Sequence, residues 1–179
     1  MDDDLLVRDR RADDLPELAR ILAAQQGASR YPVRWPLPFP VEEFIVRPGE
    51  LGAWVAETGG RVVGHASVIT PRPGWEADGW VAATGEPVDR LAALSVLFVD
   101  PRVAGRGIGG RLLDTAVDRI RALGLRPVLD VVDAHSAAAR LYRRRGWQVV
   151  GEAHPEWLRP EHGSMLLMTL PAEPPGVTA

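Results

Sequence analysis

With 179 residues, 46% of them hydrophobic and 25% charged, the chain has the make-up of one globular domain with enough apolar mass for a sizeable core. It has no cysteine, which excludes a disulfide framework, a thiolate metal site and a cysteine nucleophile. The net charge of −3 argues against nucleic acid as the main partner, and no run of about 18 apolar residues offers a membrane span. Met1-Asp2-Asp3-Asp4 lacks the basic and apolar regions of a signal peptide, so the expected location is the cytoplasm.

In chain order, Leu5-Leu6-Val7 reads as a first strand. A helix over roughly Ala12 to Gln26 follows, capped by Asp13, with Leu15, Leu18, Ile21 and Leu22 on its apolar face. Residues 27–40, rich in proline and aromatic side chains, suit a loop over a pocket, and Val41 to Arg47 a short helix. Ala53–Glu57 and Arg61–Ile69 make a hairpin across Thr58-Gly59-Gly60. Residues 71–88 read as loop and Leu91–Val99 as a strand. Pro127–Val132 is rich in β-branched residues and reads as a buried strand; Trp147–Glu152 and Met165–Leu170 close the sheet. From Pro171 the chain is expected to be a loose tail, leaving residues 1–170 as one domain.

Between the strands ending at Val99 and beginning at Pro127 lies the most informative stretch. Gly105, Gly107 and Gly109 alternate, which lets the backbone turn tightly and leaves its N–H groups uncovered. A helix with Ile108, Leu112, Leu113, Ala116, Ile120 and Leu123 on one stripe follows, so those amides open a helix N-terminus suited to a phosphate. A Walker A loop needs Lys and then Ser or Thr, whereas Gly110 and Arg111 stand there in a chain without lysine. A dinucleotide fingerprint fits the spacing of Gly105, Gly107 and Gly110, with Asp130 as the later acid. Its place past mid-chain leaves too little sequence for a doubly wound domain. Farther on, His135-Ser136-Ala137-Ala138-Ala139-Arg140-Leu141-Tyr142-Arg143-Arg144-Arg145-Gly146-Trp147 reads as a short helix closed by Gly146.

These two segments, in this order, resemble the GCN5-related N-acetyltransferase superfamily, whose motifs are R/Q-x-x-G-x-G/A and N-x-x-A-x-x-L-Y-x-x-x-G-F. The likeness is dense over residues 94–150; Ala104, His135 and Trp147 stand where the family has Arg or Gln, Asn, and Phe. The element order by itself suggests an α/β (α+β) fold with a largely antiparallel N-terminal sheet. The resemblance implies a mixed, mainly antiparallel sheet of about six or seven strands flanked by about four helices. The strands carrying Val99 and Val128 would start parallel and splay into a V. It further implies acetyl-CoA as cosubstrate. The pantetheine would lie along Leu97, Phe98 and Val99, and the pyrophosphate on the amides of Gly105, Arg106, Gly107, Ile108, Gly109 and Gly110. His135 and Tyr142 would also stand at the cofactor.

The implied chemistry is direct attack of an amine on the thioester, with Tyr142 as general acid to the leaving thiolate. The family's Glu position falls on Ala93, so the candidate bases are Asp130, Glu86 and Asp89, with a relayed water on an equal footing. His65, on an apolar strand, reads as a core histidine, and the four histidines have no metal-ligand spacing. Trp35, Phe39, Trp75, Trp80 and Trp157 either line a slot for the acceptor or cover the core. The expected acceptor is a primary amine of a small molecule or peptide, and a homodimer is open. The alternative is an acetyl-CoA-binding sensor or interaction domain without turnover.

Overall fold

The computed structural model describes residues 4–132 and 136–171. His135 and most of the expected tail, residues 172–179, lie outside them.

The chain opens with β1 (Leu6–Asp9) and a 3-10 turn over Ala12–Asp14, then α1 (Leu15–Ser29) and α2 (Val41–Ile45). Asp14, not Asp13, organises the start of α1: its carboxylate accepts from the Arg11 amide at 2.7 Å and pairs with Arg8 at 2.8 Å. A hairpin of β2 (Glu50–Thr58) and β3 (Arg61–Ile69) turns at Gly59-Gly60, both at positive φ. Then come α3 (Trp75–Thr84), β4 (Leu91–Val99), α4 (Ile108–Ala122), β5 (Arg126–Val132), α5 (Ala137–Arg144), β6 (Gln148–Ala153) and β7 (Met165–Thr169).

The expectation for residues 71–88 is also corrected. Residues 71–88 are not all loop, because α3 occupies Trp75–Thr84. With it, five α-helices flank the sheet among the described residues. Trp80 packs with Leu91, Ala93, Val128 and Leu167, and Ala77 is buried as well, which holds α3 although its sequence has little helical periodicity.

The seven strands form one sheet in the order β1-β2-β3-β4-β5-β7-β6. Every neighbouring pair is antiparallel except β4–β5. α4 packs its stripe of Ile108, Leu112, Leu113, Ala116 and Ile120 into the core on one face. Leu18, Ile21 and Leu22 of α1 join Phe44, Ile45, Val55, Val96 and Phe98 on the other. The approach of α4 to β3 is close. A Cβ on Gly64 would stand 3.0 Å from Leu112 Cδ1 and 3.1 Å from the Phe98 carbonyl.

The parallel pairing of β4 and β5 runs from Leu91–Arg126 to Leu94–Leu129 and stops. Both strands continue, β4 to Val99 and β5 to Val132, as the expected splay requires. The register against β3 shifts at the same point: Val68 pairs with Leu94 but Ser67 with Val96, so Ser95 is an extra residue. A bulge bends its strand and raises the local twist, which is the physical reason that β4 leaves β5 there.

Candidate active site

The splay opens between the C-terminal halves of β4 and β5, and three sets of residues converge on it. The first is the turn after β4. Asp100, only 2% exposed, accepts from the Arg102 amide at 2.9 Å and caps a 3-10 turn over Pro101–Val103. Its carboxylate pairs with Arg102 at 2.6 Å and Arg20 at 3.5 Å, and Arg20 in turn holds Glu17. The Arg102 guanidinium beside it holds the Asp100 carboxyl down at about 2, despite burial.

The glycine loop follows. Gly105 and Gly107 have φ of 85° and 80°, and a Cβ at either would point into open space. Gly107 is the N-cap of α4 and offers no side chain to the helix end, so the first-turn amides are left to solvent or ligand. Ala104, Gly105, Arg106 and Gly107 are exposed, and Gly109 is half-buried. Ile108 and Gly110 are buried; Ile108 packs into the core. At Gly110 the Arg145 guanidinium donates to the carbonyl at 3.0 Å and pairs with Asp114, tying the end of α5 to the first turn of α4. The loop is thus exposed backbone at a helix N-terminus, where free amides and the helix dipole favour an anion.

The second set lies at the end of β5 and on α5. Ser136 caps α5 by accepting from the Ala139 amide at 3.1 Å, and Tyr142 is buried with its ring centroid 6.0 Å from that of Trp147. Burial drives the Tyr142 hydroxyl well above the usual phenol range, with further upward pushes from Tyr31 and Asp130. It is therefore a neutral proton donor whose oxygen shares an environment with those two groups. Leu97 and Val99 turn their side chains to the core beside α4, and Phe98 to the opposite core. All three leave only backbone for the gap.

The third set is on the face of α1 and α3. Asp130 is half-buried, and desolvation raises its carboxyl to about 6, partly offset by its own amide and by Arg47. Glu76, in the first turn of α3, is raised to about 7 by burial first and then by Asp130, with Arg47 pulling the other way. Tyr31 is held by Gln25, whose side-chain amide donates to the Tyr31 carbonyl at 2.6 Å. Its ring meets Phe44 edge-on at 5.7 Å, and burial lifts its hydroxyl against the pull of Arg47 and the Leu97 amide. Tyr31, Arg47, Glu76 and Asp130 thus feel one another's charge, and Tyr142 feels Tyr31 and Asp130.

Glu76, Tyr31 and Arg47 are additions to the residues expected from sequence. Glu86 moves away from the site: it lines a cavity of about 330 Å³ with Arg90, Arg121 and Pro127, beside the N-terminal end of β5. Asp89 lies next to that cavity in the 3-10 turn Val88–Arg90. Arg102 is committed to Asp100. Ala93 is buried beside Val128 and carries no ionisable group. His65 is a core residue, fully buried, whose Nδ1–H donates to the Trp54 carbonyl at 2.8 Å; burial lowers it to about 4. Trp80 is core, whereas Phe39, Trp75 and Trp157 are exposed. No group of three His, Asp or Glu side chains among the described residues is arranged to hold a metal ion. No helix among them is long and apolar enough to cross a membrane.

Solved structures share this architecture. The ribosomal-protein-S18-alanine N-acetyltransferase of Escherichia coli aligns over 98% of both chains, at 17% identity and a TM-score of 0.67. A putative acetyltransferase from Salmonella typhimurium, solved with acetyl-CoA, aligns over 94% of each at 18% identity and 0.65. A GCN5-related N-acetyltransferase from Kribbella flavida aligns over 94% of this chain and 98% of its own at 25% identity and 0.65. No curated protein sequence matches. The family model described as "Acetyltransferase (GNAT) family" matches residues 16–147, from the start of α1 through the glycine loop to Trp147. The chain belongs to the acetyltransferase (GNAT) family.

Proposed function

We propose that this protein moves an acetyl group from acetyl-CoA to a primary amine of a small molecule or peptide by direct attack on the thioester. One observation carries the reading: the bulged splay of β4 from β5 has an anion cradle at its mouth and the Tyr142 and carboxylate cluster beside it. The Salmonella relative solved with acetyl-CoA supports the choice of cosubstrate.

Acetyl-CoA supplies an activated acetyl thioester, and the residues of the chain bind and move protons. The amides from Gly105 to Gly110 hold the pyrophosphate, and Arg106 stands in the same loop. The backbone of Leu97, Phe98 and Val99 lies along the gap, open to the pantetheine amides as a sheet edge is to a peptide. Glu76 and Asp130 act as the base that keeps the incoming amine neutral, since both are raised toward neutral pH. The Tyr142 hydroxyl, held protonated, donates to the leaving thiolate.

The test is calorimetric titration with acetyl-CoA followed by thiol release against amines. Binding with release is the expected result. Binding without release from any amine would turn the reading into that of a sensor, and no binding would remove it.

A further inference from the structure

The transferase reading leaves a charged group beside the splay without a role. Arg8, Arg10, Arg20, Arg102 and Arg145 each close on a carboxylate. Arg47, two residues past α2, makes no ion pair among the described residues. Its Nε is shut off from solvent without a hydrogen-bond partner. Its guanidinium carbon sits 4.4 Å over the Phe44 ring. Phe44 is in turn braced by Tyr31, so the guanidinium rests on a packed aromatic pair. Phe44 packs in one cluster with Val96 and Phe98, on the half of β4 that has left β5, which sets Arg47 beside the splay on the face of α1, and its charge bears on Tyr31, Glu76 and Asp130.

We infer that Arg47 is a carboxylate subsite, and that the acceptor is an amine carrying its own carboxylate, an amino acid in chemical class. This rests on the transferase reading and narrows it. A guanidinium fixed on an aromatic face leaves its edge of paired N–H donors to receive a planar anion in two parallel hydrogen bonds. Asp130 does not fill that role, since it lies outside ion-pair distance of Arg47. The charge balance points the same way. Glu76 and Asp130 repel each other, and with one proton between them they carry one negative charge opposite the positive charge of Arg47. A zwitterion meets both, with its ammonium toward the carboxylates and its carboxylate toward Arg47. A polyamine would set positive charge against Arg47, and a plain alkylamine would bring no acceptor to its Nη donors.

The experiment is thiol release from acetyl-CoA by the wild-type protein against amino acids, their carboxamides, and carboxylate-free amines including a polyamine. The best amino acid is expected to exceed its carboxamide in kcat/KM by about 10- to 100-fold, mainly through KM. Arg47→Gln is expected to collapse that ratio to about twofold, and Arg47→Lys to restore part of it as a point charge. Acid and carboxamide reacting equally in the wild type, or an unchanged ratio in Arg47→Gln, overturns the subsite. Release only from carboxylate-free amines overturns it too, while leaving acetyl transfer standing. Release from no amine at all overturns both.

Discussion

Tyr142 and Glu76 show how differently two residues of one site can be written into a sequence. Tyr142 was singled out through the family resemblance of its Leu-Tyr pair on a short helix that ends at a glycine, and the structure buries it beside Trp147. Tyr142→Phe is expected to lower kcat by about 100-fold while the calorimetric affinity for acetyl-CoA stays within about twofold, as for a group acting in the transition state. Glu76 was not legible. It lies behind Gly74 in a stretch where nothing marks a helix, and only packing of Trp80 forms the turn that carries it. Its role gives a pH signature. With the carboxyls raised to about 7 and about 6, kcat/KM should climb as pH rises through that range, and Glu76→Gln should flatten the upper part of the climb. Stability runs in the opposite sense. The folded state holds the Glu76 proton more tightly than the unfolded chain does, so stability falls as pH rises from the ordinary carboxylate range through about 7. Thermal unfolding at pH 8 should therefore find Glu76→Gln more stable than the wild type.

At the scale of elements, the strands and most helices were legible because their periods are clear, as in the Leu112, Leu113, Ala116 and Ile120 stripe of α4. The point of divergence was not. Nothing in Leu94-Ser95-Val96 distinguishes a strand that keeps its parallel neighbour from one that bulges away; register is a property of three strands at once. The splay was foreseen only through family resemblance. Two variants separate the cradle from the scaffold beneath it. Gly107→Glu puts a negative side chain at a φ of 80° on the helix mouth, and calorimetry should find acetyl-CoA binding abolished. Leu112→Ala, buried against Gly64, should instead cost about 2–5 kcal/mol in denaturant unfolding, whatever its effect on ligands. Loss of binding in the first with folding retained assigns the loop to the ligand; unfolding in both would make it scaffold.

Taken as a whole molecule, the protein is one seven-stranded sheet whose outer borders are β1 and β6. At about 100 times its Kd, acetyl-CoA should raise the melting temperature by roughly 5–10 °C, and Gly107→Glu should remove that rise. The parting of β4 from β5 beyond Leu94 and Leu129 has a broader consequence. Unpaired strand borders usually invite other chains, and proteins guard them with charge, proline or brevity. Here two further borders are turned inward and face each other across a slot walled by helices, where a neighbouring polypeptide cannot lie alongside. The protein can keep a stretch of main chain without a strand partner on that side and not become adhesive. Shelter, rather than charge, keeps that stretch free for a narrow guest.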